Sequence, residues 1–186
     1  MRVSEADLLF VPGLGGSGSD HWQTRWAEKL STAKAIDLPG LDTPDHHAWT
    51  STIATAIAKC ERPVVLVGHS LGSLAIIHAT RTLGQAGAAN IRAAFLVAPP
   101  AARTIADLKN IDPKFAAVSS DPLPFPSLLI ASRNDPFATM AESETMALDW
   151  GSQIVDAGDS GHINADSGHG PWPEGLMRFA TFMARI

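Results

Sequence analysis

A serine between two glycines is the pattern in this sequence with the clearest chemistry. The segment Gly68–Gly72 reads Gly-His-Ser-Leu-Gly. This G-x-S-x-G spacing is typical of a sharp strand-to-helix turn that exposes a serine hydroxyl as a nucleophile. The pattern alone is weak, but an apolar run at Val64–Val67 precedes it and a helical pattern follows it directly, which is the context it requires. We therefore expect Ser70 to attack a carbonyl carbon and form an acyl-enzyme.

Steric crowding explains why both ends of this segment are glycine. A nucleophile at the tip of such a turn takes a strained, positive φ, and the strand and helix nearly collide two residues to either side. Gly68 and Gly72 lack the Cβ atoms that would clash. The helix then begins at Leu71, whose amide is directed at the oxyanion of an attacked carbonyl. His69 is expected to pack beside the nucleophile or support the site.

Two later loops hold a base for the serine and an acid to orient that base. His162 follows the last apolar run, and the ends of parallel strands face the crevice where ligands bind. His169 is the alternative base. The preferred acid is Asp135, which follows the run Leu128–Ala131. Its alternative role is an Asx turn before Pro136. The chain order serine, aspartate, histidine is the order of α/β-hydrolases.

A glycine-rich loop after the first apolar run supplies a second amide. Pro12–Gly16 follows Leu8–Val11, and glycines let the backbone approach a substrate carbonyl closely. We expect the amides of Leu14 and Leu71 to hold the oxyanion. The loop lacks the lysine and the spacing of nucleotide-binding loops, and no histidine or cysteine pair has metal-ligand spacing. Neither a cofactor nor a metal is predicted.

Aromatic side chains are the candidates for the wall of a substrate pocket. Four are singled out: Trp22, Trp49, Phe137 and Trp172. An aromatic residue at helical spacing is more often part of the core, and the core is the favoured interpretation for Trp22 and Trp49. His21 and the histidines at 46, 47 and 78 are expected at the surface or half-buried on helices.

Six short apolar runs alternate with longer amphipathic stretches. Such runs are typical of strands buried on both faces of a parallel sheet. The strand candidates are Leu8–Val11, Ala33–Leu38, Val64–Val67, Ala93–Ala98, Leu128–Ala131 and Ser152–Ala157. The helix candidates begin at Asp20, at Thr43-Pro44, at Leu71, at Thr139 and near Pro171 or Pro173. This alternation predicts a doubly wound α/β domain over residues 1–186, with helices on both faces of the sheet.

The segment 99–126 breaks this rhythm. It contains prolines at 99, 100, 113, 122, 124 and 126, so we expect an irregular excursion over one end of the sheet with a short helix near Thr104–Lys109. This segment is also where a cap would be inserted. Its shortness, and the length of the chain, predict about six strands, no cap domain and an open site.

Charge and composition narrow the function further. The chain has 14 Lys and Arg against 19 Asp and Glu, a net charge of −5, and 45% of its residues are hydrophobic. This balance predicts a normal buried core and lacks the positive field that holds nucleic acids or anionic membranes. The first apolar run is too short for a signal peptide or a membrane span. A cytoplasmic location is the default expectation.

Together these motifs resemble small serine hydrolases of the retinoblastoma-binding protein nine family. The matching segments are Val11–Gly16, His21-Trp22, Trp26, Gly68–Gly72, Arg133–Pro136, Gly161–Asn164 and Gly170–Gly175. The resemblance spans Leu8 to Phe182. It implies a compact α/β-hydrolase fold, a triad of Ser70, Asp135 and His162, and no metal or organic cofactor. The family name records a binding partner of one member, and no residue here supports transferring that partner.

The expected activity is hydrolysis of a small carboxylic ester through an acyl-enzyme on Ser70. Amidases, peptidases and thioesterases use the same parts, so the sequence leaves the bond type open. The alternative is a protein-interaction module on a hydrolase scaffold with a vestigial site. The expected partner is a small acyl substrate, and an uncapped site favours small or exposed acyl groups.

Overall fold

The computed structural model describes residues 1–186, and its centre is a sheet of six strands. Their bounds are β1 Asp7–Val11, β2 Ala33–Ala35, β3 Val64–His69, β4 Ile91–Val97, β5 Ser127–Ala131 and β6 Gln153–Asp156. The strand order is β2-β1-β3-β4-β5-β6, and every neighbouring pair is parallel. This confirms the prediction of a mostly or wholly parallel sheet of about six strands. The carboxyl ends of the strands therefore lie at one edge, where the candidate site residues follow them.

Six helices cover the two faces of this sheet. They are α1 Trp22–Lys29, α2 His46–Ala58, α3 Leu71–Ala88, α4 Ala102–Asp107, α5 Met140–Trp150 and α6 Pro173–Met183. Side chains of α1 and α6 pack on one face, and those of α2, α3 and α5 pack on the other. None of these helices is long and apolar enough to pass through a lipid bilayer.

Alternate residues of the central strands enter opposite halves of the core. In β1, Leu8 and Phe10 join the layer under α1 and α6, whereas Leu9 and Val11 join the layer under α2 and α3. This is the period of two that a strand imposes, with both faces buried. The continuous apolar runs of the sequence follow from this double burial.

Two helices begin later than the sequence predicts. Asp20 pairs with Arg25 at 2.7 Å, and the cap of α1 is His21, whose Nδ1 accepts from the amide of Gln23. Thr43 and Pro44 do not open α2, because its cap is Asp45, which accepts from the amide of Ala48 at 2.8 Å. A carboxylate is among the best N-cap groups, and here it takes precedence over the proline signal.

Other boundaries also shift. β2 ends at Ala35 rather than Leu38, and β6 is shorter than Ser152–Ala157. The short helix in the proline-rich segment covers Ala102–Asp107 rather than Thr104–Lys109. α5 begins after its Thr139 cap as predicted and ends at Gly151 in the left-handed conformation. α3 continues to Ala88, but Gly84 inside it has a φ of 63° that interrupts the regular helix.

Candidate active site

Ser70 lies at the turn between β3 and α3 in a strained conformation. Its φ is 52° and its ψ is −127°, a combination that costs a non-glycine residue about 1–3 kcal/mol. It is the residue immediately before the first turn of α3. The strand pairing of β3 and the packing of α3 hold this backbone in place, and the turn projects the hydroxyl beyond the end of the sheet.

The glycines around Ser70 are sites of close approach. A Cβ on Gly68 would lie 2.8 Å from the Cα of Ser73 in α3, and a Cβ on Gly13 would lie 2.9 Å from the Cβ of Ser70. A Cβ on Gly72 would collide with the carbonyl oxygens of Val11 and Pro12. Gly72 thus lets α3 pack closely against the end of β1, a contact additional to the one between α3 and the strand that leads into the turn.

His162 lies between Ser70 and Asp135. Its Nε2 is 2.8 Å from the Oγ of Ser70, and its Nδ1 is 3.0 Å from both carboxylate oxygens of Asp135. A carboxylate only accepts, so Nδ1 carries the proton and Nε2 can accept the proton of the serine hydroxyl. The side chains of His162 and Asp135 are 10% and 3% exposed. Such a buried hydroxyl–imidazole–carboxylate arrangement can activate a serine as a nucleophile.

Asp135 combines the two roles that the sequence left as alternatives. Its Oδ1 accepts from the amide of Phe137 at 2.9 Å, which is an Asx turn, while the same carboxylate faces His162. His169 lies elsewhere: its Nδ1 is 3.2 Å from the Oγ of Ser167, and its ring contacts Trp172. The structure therefore brings His162, and not His169, to Ser70.

The amides of Leu14 and Leu71 flank Ser70. Leu71 is the first residue of α3, so its N–H has no carbonyl one turn earlier to bond. The N–H of Leu14 donates to no backbone group, whereas the next two amides of its loop bond Leu41 and Gly13. Both residues line the same cavity as Ser70. Two uncommitted donors at this place can stabilise a negative oxygen.

Buried polar side chains hold the loop that carries His162. The Nε2 of His69 donates to the carbonyl oxygen of His162 at 2.9 Å, and the Nε1 of Trp22 donates to that of Ile163 at 2.9 Å. Ile163 has a φ of 48°, so these two bonds hold a strained stretch of backbone. The contact places His69 beside the site, and its role there, packing or support, stays a prediction.

A second clamp on the same loop was missed by the sequence analysis. The Oδ1 of Asn134 accepts from the amide of Gly161 at 2.7 Å and from the hydroxyl of Ser132 at 2.9 Å. The Oγ of Ser132 also accepts from the amide of Ser160 at 2.9 Å. The residues just before Asp135 therefore tie its loop to the loop of His162. The polar residues 132–134 directly after β5 are the sequence feature that could have indicated these bonds.

Three of the four aromatic residues expected in the pocket wall are core residues. Trp22 and Trp49 are fully buried, and Trp172 is 5% exposed. Trp172 stacks on Trp26 with the ring planes 12° apart, and Trp49 packs against Phe115. Only Phe137 lines a cavity with Ser70, with its ring 4.5 Å from that of His162. Trp22 and Trp49 thus lie in the core, which is the interpretation favoured from the sequence. Trp172 lies there as well, because the start of α6, like the inner faces of α1 and α2, directs its tryptophan inward.

Burial keeps two further histidines neutral. His21 is only 6% exposed, contrary to the expectation of a surface or half-buried residue, and its ring contacts that of His69. Burial, with a smaller effect of the His162 imidazole, lowers the pKa of His21 to about 4. Burial also lowers the pKa of His69 well below its ordinary value. The imidazoles of His21 and His69 are therefore uncharged at neutral pH.

Acid is expected to destabilise the fold through His21. Its pKa is about 4 when folded and 6.5 ordinarily, so the unfolded chain binds the proton first as the pH falls. The free energy of unfolding should be unaffected above pH 7 and should fall by about 3 kcal/mol from His21 alone by pH 4. Urea unfolding at each pH measures this change. The variant His21→Asn keeps a side-chain acceptor at the helix cap, and its free energy of unfolding should fall by about 3 kcal/mol less between pH 7 and pH 4. If it fell as much as in the wild type, His21 would not be the source of the pH dependence.

Concavities elsewhere lack this combination of groups. A groove of about 480 Å³ lies between β2 and α2, and no histidine lines it. No group of three or more His, Cys, Asp or Glu side chains is placed to hold a metal ion. A serine hydroxyl, an imidazole and a carboxylate in hydrogen-bond contact, with two amides that lack a backbone partner, come together only at Ser70.

Comparisons with known proteins agree with this chemistry. A family model described as "Serine hydrolase" matches residues 8–181. The structure is similar to a protein described as a YdeN-like hydrolase from Pectobacterium atrosepticum, with 35% identity, a TM-score of 0.83, and 97% of this chain and 92% of that chain covered. A comparison with curated proteins gave no match.

Two more distant structures share the fold. The ydeN gene product of B. subtilis is 19% identical with a TM-score of 0.77, over 96% of this chain and 99% of that one. An esterase domain of a Rhodothermus marinus protein is 16% identical with a TM-score of 0.70, over 96% and 87% of the two chains. At these identities the likeness is one of architecture.

Proposed function

The chain belongs to the serine hydrolase family, and on that premise we propose that it hydrolyses a small carboxylic ester through an acyl-enzyme on Ser70. The single observation that carries the proposal is the position of His162, whose two nitrogens reach Ser70 and Asp135 at 2.8 and 3.0 Å. Thioesters and amides are attacked by the same groups, so the bond cleaved is to be decided by experiment.

In the proposed first half-reaction, the Oγ of Ser70 bonds to the ester carbonyl carbon while its proton passes to the Nε2 of His162. The amides of Leu14 and Leu71 bind the oxygen that becomes negative. Asp135 holds the imidazole in the required tautomer and stabilises the imidazolium. The tetrahedral intermediate then collapses, and the Nε2 proton passes to the departing alcohol.

The second half-reaction repeats these steps with water. His162 takes a proton from the water as its oxygen attacks the acyl carbon, and the bond to the Oγ of Ser70 breaks when the proton returns to that oxygen. The carboxylic acid leaves and the enzyme is regenerated.

We also propose that the chain stands close to the retinoblastoma-binding protein nine group within its family, because the resembling segments include the loop of Leu14 and the loop of His162.

Covalent labelling tests the proposal. A fluorophosphonate probe should add one phosphonyl group to the folded protein, and peptide mapping by mass spectrometry should locate it on Ser70. Heat-unfolded protein is the control and should not react, because the hydroxyl is activated only by the folded arrangement. A protein-interaction module with an inactive site predicts no labelling of the folded protein, and that result would reject the proposal.

A further inference from the structure

Two cavities of opposite character meet at Ser70. One has a volume of about 200 Å³ and the other about 370 Å³. Leu14, Ser70, His162 and Asn164 line both, so the scissile carbonyl of a substrate held at Ser70 has one cavity on either side. The remaining residues of the two cavities differ in average polarity and in exposure.

The lining of the smaller cavity is mostly apolar. Besides Leu71 and Phe137, its wall includes Pro100, Ile105, Leu108 and Ile111, and none of its lining residues is exposed. The proline-rich segment thus builds this wall. The wall is fixed, because the hydroxyl of Thr104 in α4 donates to the carbonyl oxygen of Phe137 at 2.7 Å. At about 30 Å³ per water-sized group, this space holds about six or seven heavy atoms.

The larger cavity is polar and open to solvent. The glycine-rich loop forms one side with its backbone, and Asp20, His21, Asn164 and Asp166 contribute side chains. Six of its lining residues are exposed, including Asp20 and Asp166. It has no lysine or arginine in its lining, and Asp20 but not Asp166 has an ion-pair partner. These groups suit hydroxyl-bearing or cationic ligands and disfavour anionic ones.

We propose, on the basis of the function proposed above, that the substrate is an ester of a short apolar acid with a polar, uncharged or cationic alcohol. The acyl tail occupies the apolar cavity and holds at most about seven heavy atoms beyond the carbonyl. The alcohol occupies the polar cavity, where Asp166 favours a positive charge.

The assignment of the two sides follows from the order of the reaction. The acyl group stays bonded to Ser70 until the second half-reaction ends, so a mostly apolar cavity stabilises its tail in every state from binding to hydrolysis. The alcohol departs after the first half-reaction and water enters in its place. The polar cavity, which has six exposed lining residues, is the better placed of the two for that exchange with solvent.

The acyl side is tested with esters of one alcohol and linear acids from acetyl to dodecanoyl. The kcat/KM is expected to rise about fourfold per methylene as the tail is buried, to level off near heptanoyl or octanoyl, and to fall beyond. Leu108→Trp narrows the cavity and should move the maximum to an acid shorter by two or more carbons. Leu148→Trp is the matched control, since Leu148 is 81% exposed on α5 and lines neither cavity. A steady rise through dodecanoyl would overturn the acyl assignment.

The alcohol side is tested with butanoyl esters of choline, its neutral isostere 3,3-dimethylbutanol, glycerol and a hydroxyalkanesulfonate. The choline and glycerol esters should exceed the isostere in kcat/KM, and the sulfonate ester should be the poorest. Asp166→Lys should lower the choline-to-isostere ratio by about fivefold, whereas Glu144→Lys on α5 should leave it unchanged. A preference for the isostere or the sulfonate in the wild type would overturn the proposal.

Pre-steady-state kinetics separate the two sides. All four butanoyl esters form the same acyl-enzyme, so Asp166→Lys should change acylation and leave the deacylation rate constant unchanged. With the octanoyl ester, whose tail fills the apolar cavity, Leu108→Trp should change both rate constants. Altered deacylation in Asp166→Lys would overturn the assignment of sides.

Fluorophosphonate labelling without hydrolysis of any of these esters would overturn the substrate class alone, whereas absence of labelling would overturn the proposed function and the inference with it.

Discussion

His162→Ala is expected to lower kcat/KM for ester hydrolysis by about 10⁴- to 10⁶-fold, as removal of one member of a coupled catalytic set does. Its Nε2 is the group within 2.8 Å of the Ser70 hydroxyl, and no other histidine ring nitrogen is placed to accept that proton. In the variant, no base stronger than water would accept the proton of the Ser70 hydroxyl. Initial rates with a butanoyl ester, and the thermal melting temperature of the variant, measure the effect separately from folding.

His169→Ala is the matched control. That side chain lies beside Ser167 and Trp172, outside both cavities at Ser70, so its removal should change kcat/KM by no more than about threefold. Loss of activity in His169→Ala with near-normal activity in His162→Ala would show that the wrong histidine has been assigned. Equal, large losses in both variants with unchanged melting temperatures would equally contradict the assignment.

Gly72→Ala is expected to have the largest effect on stability. The new Cβ would collide with the carbonyl oxygens of Val11 and Pro12, which are backbone atoms fixed at the end of β1 and cannot rotate away. We expect a loss of about 3 kcal/mol or more, a large part of the 5–15 kcal/mol that holds a domain folded. Urea unfolding followed by circular dichroism measures the loss, and soluble yield gives a second reading if the variant unfolds.

Gly18→Ala provides the comparison for that substitution. A Cβ at Gly18 meets nothing within 4 Å, so stability should change by less than about 1 kcal/mol. If the two alanine variants were equally stable, the close packing of α3 against β1 would be wrong. If Gly72→Ala folded normally but lost activity, the glycine would be needed for the position of Ser70 rather than for the fold.

The parallel sheet and the identities of Ser70, Asp135 and His162 as candidates were accessible from the sequence, because they depend on local patterns. Each follows an apolar run that forms a strand, and residues after parallel strands lie at one edge. The residue that caps a helix was harder to predict from the sequence. Asp45 rather than Thr43 caps α2, because the side chain that reaches the free amide depends on the exact path of the chain.

The supports and walls of the site were decided by tertiary contacts. The bond from His69 to the carbonyl of His162 joins residues 93 positions apart, and no local pattern specifies it. Likewise, Trp22 bonds the backbone of Ile163 from within the core, while α4 from the proline-rich segment forms the apolar wall.

By itself, the sequence determined the order of the elements, the candidate nucleophile and the set of residues that could act as base and acid. Only the tertiary structure decided which histidine meets Ser70, which aromatic side chains face the cavity, and that two cavities of opposite polarity share it. The physical reason is that periodicity and turn chemistry act over a few residues, whereas the direction of a side chain depends on packing against segments far away in the chain.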